Sequence, residues 1–162
     1  MITSQGPYVL EYNVRFGDPE TQSVLPRLQS DVLDIMFASC QGRLNEIQLK
    51  WDKRHCVCVV MSSGGYPGKY ENGFEIKGLV TAEEEADTVV FHAGTKSEGD
   101  KIVTAGGRVL GIVSLGSNIK EAIKNVYTAV EKIKFDHMFF RRDIAAKALK
   151  KNNLKSADAV GR

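Results

Sequence analysis

Apolar and polar residues alternate from Tyr8 to Arg15, with Leu10, Tyr12 and Val14 on one side and Glu11, Asn13 and Arg15 on the other. That period of two predicts a strand whose successive side chains point to opposite faces. Gly6-Pro7 punctuates before it. Phe16-Gly17-Asp18-Pro19 ends it, since the residue before a proline is held away from helical backbone. Glu20 to Leu28 reads as a short helical or irregular stretch around Pro26. Ser30 is an N-cap candidate for a helix from Asp31 to about Ser39, with Val32, Ile35 and Met36 inward, and Leu33 and Phe37 as further inward candidates. Gly42 closes it.

Beyond residue 50 the pattern turns β-rich. Cys56 to Met61 predicts a strand, Ser62-Ser63-Gly64-Gly65-Tyr66-Pro67-Gly68 a loop, and Phe74 to Leu79 another short strand. Thr81 with Glu84 three positions on has the spacing of a capping box. Thr88 to His92, Lys101 to Thr104 and Arg108 to Leu115 predict three more strands. Asn118 to about Ile133 keeps a 3.6 period through Ile119, Ala122, Ile123, Val126, Tyr127, Val130 and Ile133, and predicts the longest helix. Asp143 can cap a last helix through Leu149, and residues 151–162 read as a polar tail. The implied class is α+β. A boundary falls near residues 42–50: residues 46–150 hold enough strands and helices for a compact unit. Residues 1–45, with one strand and one helix, read as the end of something larger.

Composition narrows the function classes. The 162 residues are 43% hydrophobic and 26% charged, as in a soluble globular protein, and a formal charge of +2 gives no reason to expect nucleic acid or an anionic membrane as partner. No window approaches the roughly 18 apolar residues of a membrane span, and the N-terminus lacks the pattern of a signal peptide. Cys40, Cys56 and Cys58 have no framework spacing and read as reduced thiols, which points to the cytoplasm.

The chemistry lies on the polar face of the first predicted strand. Glu11, Asn13 and Arg15 stand about 6.6–6.8 Å apart along it. A carboxylate and an amide oxygen at that spacing can share Mg²⁺, a hard cation that brings phosphate with it, and an arginine one step on can meet phosphoryl oxygens as a fork. Asp18 and Glu20 add carboxylates just past the strand. The plainer reading of the same spacing is an amphipathic surface strand with its polar side in water.

The run Gly6-Pro7-x-Val9-Leu10-Glu11-x-Asn13-Val14-Arg15-Phe16-Gly17-Asp18-Pro19-Glu20-Thr21-Gln22 closely resembles the signature of the phosphoribosylamine–glycine ligase family, ATP-grasp enzymes of purine biosynthesis. The likeness continues through Leu28–Val32, Val60–Gly68, Phe91–Thr95 and Gly106–Leu110, so it covers roughly residues 2–150. The resemblance implies the end of an ATP-grasp subdomain over residues 1–45, then a small β-rich C-terminal domain with packed helices. It implies joining of ATP, glycine and 5-phosphoribosylamine through glycyl phosphate. Glu11 and Asn13 would then be ligands of Mg²⁺ or Mn²⁺ bridging ATP phosphates, and Arg15 would contact the transferring phosphoryl or acyl phosphate group. Asp18 and Glu20 would line the pocket for glycine and the amine, or hold the loop. The family's upstream adenine pocket and phosphate lysines have no counterpart before Glu11, so the expectation is a C-terminal part that is inactive alone.

Other candidates are weaker. Arg108, after Gly106-Gly107, binds a ribose phosphate or makes an interface ion pair. The Ser62–Gly68 loop is a structural turn or faces substrate, and it lacks the ending of a Walker loop. Cys56 and Cys58 lack the second pair that a zinc site needs. His92 reads as a satisfied structural histidine. Arg141-Arg142, with Lys147, Lys150 and Lys151, reads as a solvated basic face.

Overall fold

The computed structural model describes residues 1–149. Its centre is a four-stranded antiparallel sheet in the order β4-β7-β3-β8, formed by β3 (His55–Ser63), β4 (Thr88–His92), β7 (Arg108–Gly116) and β8 (Met138–Phe140). In the β3–β7 ladder Val59 lies opposite Ile112 and Met61 opposite Leu110; in the β4–β7 ladder Val90 also meets Ile112. Alternation therefore sends Val57, Val59, Met61, Val90, Leu110 and Ile112 to one face.

That face is covered by α4 (Ile119–Lys132), whose Ala122, Val126, Ala129 and Val130 are buried. Burying each of the two valines contributes about 1.5–3 kcal/mol. The helix starts where the 3.6 period predicts. Asn118 Oδ1 accepts from the Glu121 amide at 3.0 Å, and Glu121 accepts from the Ser117 amide at 2.7 Å. The bonds from Ser117 hold the Glu121 carboxyl below its ordinary value.

The opposite face carries Cys58, Gly111 and Phe91. A Cβ built on Gly111 would lie 3.6 Å from Cys58 Sγ and 3.8 Å from the Gln22 side chain. Gln22 belongs to α1 (Glu20–Val24), so the chain that follows Asp18 lies back over this second face. At the sheet's start Arg54 pairs with Asp52 and Asp87, each at 2.7 Å. A hairpin of β5 (Thr95–Glu98) and β6 (Lys101–Thr104) completes the domain; β5 and β8 are absent from the sequence reading.

Five other expectations are corrected. The segment over residues 8–15 is no strand: Tyr8 exchanges backbone bonds with Met1, and the only strands before α1 among the described residues are β1 (Ile2–Thr3) and β2 (Gly6–Pro7) of a small hairpin. A strand needs a ladder partner for its backbone groups, and none lies beside this stretch beyond Tyr8. The second helix, α2 (Val32–Cys40), is capped by Asp31, while the Ser30 hydroxyl accepts from the Lys50 amide at 2.8 Å. Met36, Leu33 and Phe37 of α2 are exposed, and Ala38 is its buried residue. Phe74 to Leu79 is not a strand: Glu75 and Lys77 make isolated bridges, and α3 (Leu79–Glu83) starts from Gly78 at φ 82°, with Thr81 inside the helix. Residues 146–149 form the expected last helical turn, and the tail from residue 151, with Lys150, lies outside the described residues. No helix of the described residues is long and apolar enough to cross a membrane.

Candidate functional site

Two glycine-bearing turns build the site from the sheet's end. Ser63 at the end of β3 donates its amide to Gly107 O and its hydroxyl to Gly106 O, both at 2.9 Å. This knits the Ser62–Gly68 loop to the turn before β7. Tyr66 then packs against Gly107: a Cβ there would run into the Tyr66 ring, with Cε2 at 2.5 Å. The bare glycine lets the phenol reach Arg108, whose Nε donates to Tyr66 Oη at 3.2 Å. That bond, with the charge of nearby Asp18, raises the Arg108 pKa further.

Arg108 also holds the signature run. Its Nη1 donates to Asp18 O at 2.8 Å and lies 3.1 Å from Asp18 Oδ2. Asp18 Oδ1 accepts from Gln22 Nε2 at 2.9 Å. Both carboxylate oxygens of Asp18 are thus engaged, and of the two roles open to Arg108 the ion pair is present here. The Asp18–Pro19 and Tyr66–Pro67 peptides are cis.

The predicted residues divide between two hollows on either side of the Gly17–Pro19 bend. Asn13, Arg15 and Glu20 line a hollow of about 190 Å³ with Phe16, Gly17 and Val24. The side chains of Arg15 and Glu20 cross over Gly17, where a Cβ would meet Glu20 Cδ at 2.9 Å and Arg15 Nη1 at 3.2 Å. Glu11 is exposed and does not line that hollow. Asp18 and Arg108 face a larger cavity of about 460 Å³, walled by Cys58, Val60, Tyr66, Phe139, Arg141 and Ile144. Burial pushes the Cys58 thiol up to about 12, so it stays neutral on this wall.

Arg141 and Tyr66 are the cavity residues that sequence reasoning missed. The signal was available: alternation through β8 sets Phe139 and Arg141 on one side and Phe140 and Arg142 on the other. Arg142 stacks over the Phe140 ring at 5.0 Å, so the arginine pair is not one solvated face. His92 Nδ1 bonds Thr95 Oγ1 at 3.0 Å, as a structural histidine would. Among the described residues no group of three or more His, Cys, Asp or Glu is arranged to hold a metal ion. Glu11 and Asn13 still offer the hard oxygen donors that Mg²⁺ takes, an ion that keeps waters and phosphate oxygens for its remaining positions.

The run that carries Glu11, Asn13 and Arg15 is thus clasped by Arg108 and Asp18 to the edge cavity of an α+β sheet domain. The model of the family "Phosphoribosylglycinamide synthetase, C domain" matches residues 56–147, and the chain belongs to that family. It is 51% identical over 146 residues to the phosphoribosylamine–glycine ligase of Caldanaerobacter subterraneus, covering 90% of this chain and 34% of the relative. It is 46% identical to that of Halalkalibacterium halodurans, covering 96% and 36%. Among solved structures, the phosphoribosylamine–glycine ligase of Thermotoga maritima aligns with a TM-score of 0.68 at 31% identity, over 88% of this chain and 34% of that one. The chain spans about a third of the length of the curated relatives it matches.

Proposed function

We propose that this chain supplies the metal-and-phosphate end and the C-terminal domain of a phosphoribosylamine–glycine ligase acting in the cytoplasm. Residues 1–45 close the ATP-grasp unit and residues 46–150 form the domain that meets it. In this reaction the glycine carboxylate takes the γ-phosphoryl group of ATP, releasing ADP. The amine of 5-phosphoribosylamine then attacks the acyl carbon of glycyl phosphate, releasing phosphate and leaving glycinamide ribonucleotide. The observation that carries the reading is the Arg108–Asp18 contact, which joins the signature run to the cavity of the family domain.

Each residue has a role in that scheme. Glu11 and Asn13 hold Mg²⁺ or Mn²⁺, which when bound neutralises phosphate charge. Arg15 directs its fork at the transferring phosphoryl oxygens, since catalysis of phosphoryl transfer is mostly positioning and charge stabilisation. Asp18 and Glu20 receive glycine and the amine, Asp18 with its carboxylate already oriented by Gln22 and Arg108. Arg108 serves the phosphoribosyl substrate with the Nη2 that its protein contacts leave over.

The test is a chimera in which this chain replaces the matching third of the Caldanaerobacter ligase. The reading expects ATP-dependent formation of glycinamide ribonucleotide; a folded chimera that forms none overturns it. A second reading, a non-catalytic module that acts by packing against a partner, draws on one observation. Leu33 and Phe37 of α2, 64% and 70% exposed, lie on one helix face with Met36, and Leu10, Tyr12 and Val14 are open to solvent. A chimera that folds and binds its substrates without turnover favours that reading.

A further inference from the structure

We propose that Tyr66 is a positioning residue: acting through Arg108, it sets the Asp18 carboxylate in the pose that receives glycine. The inference rests on the ligase reading for the identity of that substrate. The relay itself follows from the geometry. A guanidinium is a rigid plane, so fixing one of its nitrogens fixes where the others point. Tyr66 Oη accepts from Arg108 Nε at 3.2 Å. With Nε held there, Nη1 is aimed at Asp18, 2.8 Å from its carbonyl oxygen and 3.1 Å from Oδ2. The charge of Arg108 is permanent, and the Tyr66 bond raises its pKa further. Only the direction of the fork is therefore at stake, and a part-exposed arginine without that bond has many rotamers to choose from.

Tyr66 is itself held before any substrate arrives. A Cβ on Gly107 would run into its ring, so the bare glycine is what seats it. Tyr70 meets the same ring in an edge-to-face contact with centroids 6.1 Å apart. The Tyr66 amide donates to Ser63 O at 3.2 Å, and Ser63 in turn bonds the carbonyls of Gly106 and Gly107. The phenol oxygen is thus fixed relative to the start of β7, where Arg108 stands.

The other end of the relay suits a small ammonium ligand. Gln22 Nε2 donates to Asp18 Oδ1 at 2.9 Å while Arg108 Nη1 faces Oδ2, so each carboxylate oxygen has one protein donor and keeps a lone pair. A carboxylate fixed at both oxygens presents its remaining lone pairs in set directions. The glycine ammonium brings three N–H donors to meet them. Tyr66 reaches this point only through Arg108.

The experiment pairs kinetics of the Caldanaerobacter chimera with NMR spectra of the 162-residue chain carrying labelled arginine. Tyr66→Phe keeps the ring on Gly107 and removes only the acceptor. In the chimera it should raise the KM for glycine about fivefold or more, with kcat and the KM for ATP within about twofold. The thermal midpoint should match the parent. In the Arg108→Ala background the same substitution should add less than about twofold, because the path to Asp18 is already cut. In the chain, the Arg108 Nε–H should exchange with water about threefold faster or more once its acceptor is gone. An unchanged KM for glycine in an active chimera, an equal effect in the Arg108→Ala background, or an Nε–H signal that ignores the substitution overturns the proposal. An inactive parent chimera removes the ligase reading instead, and the Nε–H signal then decides by itself whether Tyr66 positions Arg108.

Discussion

Arg108 and Asp18, 90 positions apart in sequence, meet with Nη1 at 3.1 Å from Oδ2 and 2.8 Å from the Asp18 carbonyl oxygen. The pair ties the signature run to the sheet domain, yet both side chains are well exposed, so its energy is modest. Exposed ion pairs contribute about 0.2–1 kcal/mol. A double-mutant cycle with Arg108→Ala and Asp18→Ala should give a coupling in that range by denaturant titration. Hydrogen exchange should accelerate in α1 while α4 keeps its protection. A coupling near zero with unchanged exchange in α1 would mean the clasp does not hold the run.

Gly107→Ala should cost about 1–3 kcal/mol through overpacking against the Tyr66 ring. Adding Tyr66→Ala should restore most of that loss, because the obstructing ring is gone. Equal stability of Gly107→Ala and the parent in urea would contradict the stacking of Tyr66 on this turn.

Ile112 is fully buried between the β3 and β4 ladders and α4. Ile112→Ala should destabilise by about 2–5 kcal/mol, the range for deleting a large aliphatic side chain from a packed core. By contrast, Leu33→Lys with Phe37→Lys on α2 should change stability by less than about 0.5 kcal/mol, since both side chains already face solvent. It should reduce binding of a hydrophobic dye and any self-association seen in sedimentation. A large loss from the α2 pair would mean those residues are packed after all.

The Cys58 thiol, raised by burial to about 12, makes stability fall at alkaline pH. Its folded pKa lies above its unfolded one, so its contribution is complete below about pH 9 and is lost as pH rises toward 12. Across that window the loss should stay under about 1.4 kcal/mol per pH unit, because solvent still screens part of the thiol. Cys58→Ala should flatten that slope in denaturation series across this window. The same slope in the variant would assign it elsewhere.

The parts of the fold that were legible in the sequence are those whose pattern is self-sufficient. Ile119–Lys132 keeps its period over a long helix with a cap at Asn118, and the strands Thr88–His92, Lys101–Thr104 and Arg108–Gly116 carry dense β-branched runs. What misled was local pattern without a partner. Tyr8 to Arg15 alternates well but has no ladder beside it, and Phe74 to Leu79 makes isolated bridges at Glu75 and Lys77 in place of a continuous ladder. For the candidate site, the run Glu11 to Glu20 was readable as words. The Arg108–Asp18 pair was readable only as one of two options, since joining residues so distant requires the fold. Tyr66 and Arg141 were hidden because a loop and a basic doublet have no periodic signal strong enough to separate one side chain from the next.

The central claim is that Glu11 and Asn13 hold the metal while Arg15 serves the phosphoryl group. Its most direct test is the rate of the Caldanaerobacter chimera as a function of free Mg²⁺. Glu11→Ala and Asn13→Ala should each raise the Mg²⁺ concentration for half-maximal rate by tenfold or more. Arg15→Ala should lower kcat by about 10²-fold or more, the scale of one lost charge-stabilising contact, with little change in the metal requirement. A Mg²⁺ dependence that is the same in Glu11→Ala, Asn13→Ala and the parent chimera would contradict the claim.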